Sequence, residues 1–331
     1  MFDLAFVWAG LIAFAVLAYV LFDGFDLGIG ILFPLLAAEE ERDQAMNSVA
    51  PVWDGNETWL ILGGGGLMAA FPLAYAVVLP ALYAPIIAML LGLIFRGVAF
   101  EFRFRSRKRL WDWAFAAGST IAALAQGIAL GALVQGIPIS GRAYAGGWWD
   151  WLTWFSLLTG FALLVGYALL GATWLIWKTS GTLQQKAYEF AWVTGWGTLA
   201  LIGLVSLIMP FLDPLFRQRW FSWPNIVYAA PVPILVGLVA LWLLAGLGKR
   251  RERAPFFAAV LLFVLSYVGL GISFYPYIVP PSLTIWDAAA PAASLKFLLV
   301  GAAVLIPLIV SYTAWSYWIF RGKVGASAGY H

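Results

Sequence analysis

Few residues in this chain could carry charge through an apolar interior, and they fall in three short stretches. Asp23 and Asp26 lie in Phe22-Asp23-Gly24-Phe25-Asp26-Leu27-Gly28. Asp54 and Glu57 lie in Pro51-Val52-Trp53-Asp54-Gly55-Asn56-Glu57-Thr58-Trp59-Leu60. Arg96 and Glu101 lie in Phe95-Arg96-Gly97-Val98-Ala99-Phe100-Glu101-Phe102-Arg103. Residues three apart on a helix share a face, so each carboxyl pair has its members side by side. Two neighbouring carboxyls in an apolar setting repel when both are ionised, and such a pair tends to hold a proton. That is the property a proton relay needs, and Asp23, Asp26, Asp54 and Glu57 are its candidate stations. Arg96 is the candidate counter-charge, with Glu101 beside it in the charge balance. The plainer reading is structural: Asp54 as a carboxylate favoured by a helix N-terminus, and Asp23 as a residue at headgroup level.

Other chemistries lack their residues. There is no Cys, and the one His is His331, the last residue. The interior therefore offers neither thiolate nor imidazole to a heme, a metal or a nucleophilic mechanism. Five Met remain, and methionine alone is an unusual axial set. No glycine-rich phosphate loop, Ser/His/Asp set or metal-ligand spacing appears. The sequence predicts no catalytic, cofactor-binding or metal-ligating residue in this chain.

The elements that must position these carboxyls follow from composition. Of 331 residues, 63% are hydrophobic and 11% charged, against about 25% charged in an ordinary soluble domain. The mean hydropathy is +0.90. This excludes soluble domains and intrinsic disorder and predicts an all-α polytopic membrane protein. A helix needs about 20 apolar residues to cross the hydrocarbon core, and nine candidate spans meet that length: 4–36, 53–72, 75–100, 112–137, 152–178, 191–212, 226–247, 256–279 and 295–320. The second is the least regular, with a polar start and four glycines, Gly63 to Gly66. Those glycines, like Gly24 and Gly28, suit close helix approach, with a helix break or cofactor approach as the sharper reading of the run. No cleavable leader is expected, because the first apolar run lacks a basic flank and ends in acidic residues.

With nine spans, 14 of the 19 Lys and Arg residues fall on one side and three on the other. The basic side should be cytoplasmic, which puts the N-terminus outside and the C-terminus inside. Without the second span the split is 13 against 4, with the N-terminus inside. The net charge of +3 is then a matter of loops, not of nucleic-acid binding. The cluster Arg103–Arg109 reads as a topological anchor or a lipid-headgroup contact. Trp148, Trp149, Trp151 and Trp154, and Tyr312, Trp315, Tyr317 and Trp318, read as interfacial belts. Leu4 to Asp23 spans 19 residues, or about 28 Å of helix, so the four carboxyls should gather toward the cytoplasmic end. The chain reads as one integral membrane domain, 1–331. The pair Val52-Trp53-Asp54 and Ile285-Trp286-Asp287 hints at pseudo-repeat halves of about 1–140 and 150–320.

At these motifs the sequence resembles subunit II of the cytochrome bd family of quinol oxidases. The carriers are Asp23-Gly24-Phe25-Asp26-Leu27-Gly28, Val52-Trp53-Asp54-Gly55-Asn56-Glu57-Thr58-Trp59-Leu60 and Phe95-Arg96-Gly97-Val98-Ala99-Phe100-Glu101. Further matches are Trp111-Asp112-Trp113, Phe274-Tyr275-Pro276-Tyr277-Ile278-Val279-Pro280 and Leu283-Thr284-Ile285-Trp286-Asp287-Ala288. Glu57 followed by Thr58 looks like the cyanide-insensitive branch. The resemblance implies two four-helix bundles plus a peripheral helix in the bacterial cytoplasmic membrane. It implies a partner subunit I that holds two b-type hemes, one heme d and the quinol site, with no heme in this chain. It further implies a share in oxygen access and in a proton path, with Asp54 on the route and Asp23 or Asp26 near its mouth. A structural quinone and small single-helix accessory subunits are compatible with it. The expected function is that of a required, heme-free subunit of a complex that oxidises quinol and reduces oxygen to water. Two rival readings are an ion-coupled secondary transporter and a purely structural assembly subunit.

Overall fold

In a computed structural model, residues 3–325 are described; His331 lies outside them. Helix α1 (Leu4–Leu32) runs into a 3-10 turn (Phe33–Leu35) and is followed by the short, charged α2 (Glu39–Asn47). Then come α3 (Trp53–Ala70), α4 (Pro72–Ala81), α5 (Tyr83–Phe102) and α6 (Lys108–Gln135). A small antiparallel hairpin, β1 (Ile139–Ser140) with β2 (Ala143–Tyr144), leads to α7 (Trp154–Lys178) and α8 (Thr182–Leu212). Helices α9 (Pro214–Phe221), α10 (Asn225–Ala229), α11 (Pro231–Gly248) and α12 (Ala254–Phe274) follow. A second hairpin, β3 (Tyr277–Val279) with β4 (Leu283–Thr284), and the one-turn α13 (Ile285–Ala288) precede α14 (Ala292–Ile319). In the hairpins Ile139 pairs with Tyr144 and Tyr277 with Thr284.

Among the described residues, eight helices are long and apolar enough to cross a membrane, and α3 with α4 supplies a ninth as a pair bent by 120°. Local chemistry sets the ends. Asp3 caps α1 by accepting from the Phe6 amide, and Thr153 with Ser156 forms a reciprocal capping box at α7. Proline stands at the first or second position of α4, α9, α11 and α12, where its missing N–H costs no helical bond.

Helices α1, α3, α5 and α6 form one four-helix group, and α7, α8, α11 and α12 form a second; α1 and α6 join the groups by packing on α7. Helix α14 is peripheral and rests on α3 and α1. The junction between α1 and α7 is the closest approach. A Cβ on Gly28 would sit 1.8 Å from the Tyr167 carbonyl oxygen, and one on Gly171 would sit 2.4 Å from the Gly28 carbonyl carbon. Only glycine at both positions lets the two backbones meet.

Two expectations are revised. The apolar run 75–100 is not one helix: α4 ends at Ala81 and α5 starts at Tyr83. The turn of direction comes at Phe71-Pro72, because proline drives the residue before it out of helical backbone, and Phe71 has ψ 61°. The run 256–279 stops being helical at Phe274, again just before a proline, and 277–279 pairs as a strand. The Gly63–Gly66 run does not break its helix. Gly63 and Gly66 face Val16 and Ile12 of α1, while Gly64 and Gly65 are exposed on the other side.

Candidate functional site

The inward side of α3 is set by Asn56, Trp59, Gly63 and Ala70, which are buried at near-helical spacing. It packs on α1, whose last three turns, from Asp23 on, are almost wholly buried. Helix α5 closes the third side and presents Arg96. The result is a buried charge cluster. Asp23, Asp26 and Arg96 have no exposed surface at all. Arg96 donates through Nη1 to Asp23 Oδ1 in a close ion pair, and through Nη2 to Glu57 Oε2 at 2.8 Å. Glu57 keeps 28% of its side chain exposed, so it bridges the buried cluster and the outer face of α3. Asp26 does not touch Arg96. Its Oδ2 accepts from Asn56 Nδ2 at 2.8 Å, and Asn56 Oδ1 accepts from the Tyr317 hydroxyl of α14 at 2.8 Å. Among the described residues no group donates a hydrogen bond to Asp23 Oδ2 or Asp26 Oδ1.

Three carboxyls therefore face one guanidinium. Fully ionised, this cluster would carry a surplus of negative charge in the protein interior, which costs several kcal/mol per uncompensated ion. Carboxyls placed in this way beside a fixed counter-ion have the chemical capacity to take up protons.

The structure brings together Asp23, Asp26, Glu57 and Arg96. It sets Asp54 apart. Asp54 is exposed, because it lies two residues, about 200° around the helix, from the inward-facing Asn56. It shares the outer face of α3 with Ile61, Gly64, Gly65 and Met68. Glu101 is exposed on α5 and joins no ion pair among the described residues.

Sequence reasoning missed the neutral polar partners. Asn56 and Tyr317 frame Asp26, and Tyr19, Gln126 and Tyr167 form a second polar chain beside Asp23. One available signal was Asn56 itself, a polar residue on the helix side otherwise occupied by Trp59 and Gly63. It also missed the ion pairs of Arg103, which does not reach lipid headgroups but is fully buried. It pairs closely with Asp43 of α2 and bonds Asp112 at 2.5 Å, which in turn takes Arg42 at 3.0 Å. Lys108 joins Glu39 at 2.6 Å and Lys186 joins Glu41 at 2.8 Å. This ion network lashes α2 across the same end of the bundle at which Asp23 and Asp26 lie.

Among the described residues no group of three or more His, Cys, Asp or Glu side chains is arranged to hold a metal ion.

Comparison with known proteins places this architecture. The profile of the family described as cytochrome bd terminal oxidase subunit II matches residues 4–320. The chain is 32% identical to cytochrome bd-I ubiquinol oxidase subunit 2 of Escherichia coli K12 over 364 aligned positions, covering 97% of this chain and 95% of that protein. It is 29% identical to cytochrome bd ubiquinol oxidase subunit 2 of Bacillus subtilis, with 96% of each covered. The solved structure of bd oxidase from Geobacillus thermodenitrificans superposes with a TM-score of 0.73 at 17% identity, over 97% of this chain and all of that one, and so shares the fold. The chain belongs to the subunit II family of the cytochrome bd terminal oxidases and is, by that membership, a subunit of an oxidoreductase complex.

Proposed function

We propose that this chain serves as the heme-free subunit of a quinol:oxygen oxidoreductase in the bacterial inner membrane and carries part of the path that delivers protons to oxygen reduction. The hemes, two of b type and one of d type, would be held by subunit I, and they would supply the electron transfer and oxygen chemistry. This chain would scaffold that partner, contribute to oxygen access and move protons.

The observation that carries the reading is the buried cluster of Asp23, Asp26, Glu57 and Arg96. Intramembrane carboxyls are costly, at least ~2.5–3.5 kcal/mol each on insertion scales, and structure alone gives Asp26 no ionic partner. In the route we propose, Asp23 and Asp26 lie nearest the cytoplasmic mouth. Asp23 is the committed counter-ion of Arg96, and Asp26, with one uncommitted oxygen, takes and releases the proton. Glu57, touching Arg96 yet partly exposed, is the second acceptor. Asp54, on the outer face of α3, passes the proton to subunit I. The orientation proposed is N-terminus outside and C-terminus inside. It is supported by Arg42, Arg103, Lys108 and Lys186 meeting in one network at the α2 end. The two helix groups follow the halves 1–140 and 150–320 except for α14, which supports reading them as pseudo-repeats. Small single-helix accessory subunits and a structural quinone would be compatible additions.

Asp54→Asn and Asp54→Ala test the route. In an assembled, fully heme-loaded complex, quinol-dependent oxygen consumption should fall. Unchanged consumption removes Asp54 from it. Loss of assembly in proportion to loss of activity would instead favour a purely structural role.

A further inference from the structure

A second hydrogen-bonded array joins α7, α6 and α1. The Tyr167 hydroxyl of α7 donates to Gln126 Oε1 of α6 at 2.8 Å, and Gln126 Nε2 donates to the Tyr19 hydroxyl of α1 at 2.7 Å. Tyr167 is fully buried and Tyr19 nearly so. Tyr167 reaches this place because residue 24 is glycine: a Cβ there would lie 2.8 Å from its ring. Phe263 holds the ring from the other side, stacked at 5.7 Å.

The sense of donation in this array is informative. Tyr19's oxygen already receives the Gln126 N–H, so its own O–H must find an acceptor elsewhere. Tyr19 stands four residues, about one helical turn, before Asp23 on the same face of α1, and both residues are buried. Asp23 Oδ1 is taken by Arg96, while Oδ2 is the oxygen without a partner. A buried donor in search of an acceptor thus faces a buried acceptor in search of a donor, and buried polar groups of this kind pair.

We propose that Tyr19 is a positioning residue for the carboxyl cluster: anchored by Gln126 and Tyr167, its hydroxyl donates to Asp23 Oδ2. Tyr19 and Arg96 then claim both oxygens of Asp23 and fix it as the counter-ion, which leaves Asp26 as the carboxyl free to exchange its proton. The array itself is not a proton wire. A carboxamide has no exchangeable acidic proton to pass along, so Gln126 interrupts any relay through it and serves to orient. The proposal rests on the proton-path reading for its meaning, and on geometry alone for the bond.

The test is infrared spectroscopy of the assembled, heme-loaded oxidase, each variant against the parent, alongside oxygen consumption. Asp23→Asn identifies the Asp23 carboxylate bands as those it removes. Tyr19→Phe removes the donated bond, and the Asp23 carboxylate stretches should shift. Gln126→Leu leaves Tyr19 in place but unanchored, and the same bands should broaden; this variant keeps the test decisive where Tyr19→Phe fails to assemble. Asp23 bands that neither shift in Tyr19→Phe nor broaden in Gln126→Leu overturn the proposal. Failure of the proton-path reading looks different: Asp23→Asn and Asp26→Asn would then both leave oxygen consumption unchanged, whatever the bands do.

Discussion

Removing Arg96 is the most demanding perturbation of the cluster. Arg96→Leu keeps roughly the volume of the side-chain stem and deletes the only cation among three carboxyls. Asp23 loses its one ionic partner with no solvent to turn to, while Glu57, 28% exposed, can rehydrate in part. Breaking a buried pair by deleting one member costs about 3–5 kcal/mol, and here the Asp23 side carries most of it. The cost has a pH dependence of fixed sign. The folded variant must neutralise its stranded carboxyls by binding protons that the unfolded chain does not bind at neutral pH. Its stability therefore falls as pH rises, by about 1.4 kcal/mol per unit for each such proton. Arg96→Lys should be intermediate, because an ammonium is a point charge and cannot reach both carboxylates with two aligned N–H groups. Asp23→Leu added to Arg96→Leu should recover much of the loss, since the stranded charge is then gone. The assay is the thermal midpoint of the detergent-solubilised complex, read by heme retention and tryptophan fluorescence at several pH values. An Arg96→Leu midpoint equal to that of the parent at and above neutral pH would refute the reasoning, as would a double variant no more stable than the single one.

Further outcomes follow from other parts of the molecule. Gly28→Ala should destabilise the α1–α7 junction by about 1–3 kcal/mol or more. Its Cβ would lie 1.8 Å from a carbonyl oxygen where ordinary contact begins at 3.4 Å. Gly10→Ala, inside α1 with open space around it, should not lower the thermal midpoint, since Ala favours a helix interior over Gly by about 0.5–1 kcal/mol. At the end of β2, burial and the Asp150 carboxylate push the Tyr144 phenol up to about 12. The bonds of its hydroxyl to Gly147 and Asp150 should therefore persist above the usual tyrosine range near ~10 and break only as pH rises through that higher value. Alkaline absorbance titration, compared with Tyr144→Phe, checks this. Isolation of the complex through this chain in mild detergent should yield reduced-minus-oxidised bands of b- and d-type heme together with a second polypeptide. Heme bands that stay with this chain after the second polypeptide is removed would contradict the assignment of the hemes to a partner.

Much of the site was legible because charge is rare here. In a chain with 11% charged residues, an Asp-x-x-Asp pair and an isolated Arg inside apolar runs stand out, and Asp23, Asp26, Glu57 and Arg96 do converge. Family motifs then decided between an oxidase subunit and a transporter, which apolar patterning could not do. Three things were hidden. The facing of Asp54 depended on the rotation of α3, which is set by packing of Asn56 and Trp59 against α1 and not by the spacing to Glu57. Arg103 looked like one more basic residue of a flank, yet α2 supplies it with Asp43, and only the tertiary fold brings that helix to it. The array of Tyr19, Gln126 and Tyr167 joins three helices over long sequence separations, and a neutral polar residue in an apolar run carries no mark of its partner. The end of α12 was hidden too: the apolar run 256–279 passes through Pro276, while the helix stops at Phe274.

The central claim is that Asp26 takes and releases a proton that oxygen reduction consumes. The most direct measurement is quinol-dependent oxygen consumption by Asp26→Asn in the assembled complex, with heme content and thermal midpoint matched to the parent. Asparagine keeps the shape and the bond to Asn56 but cannot carry the proton. The account predicts a loss of at least ~100-fold, the lower end of what a positioned acid–base group contributes. Turnover equal to the parent in a fully heme-loaded Asp26→Asn complex would contradict it.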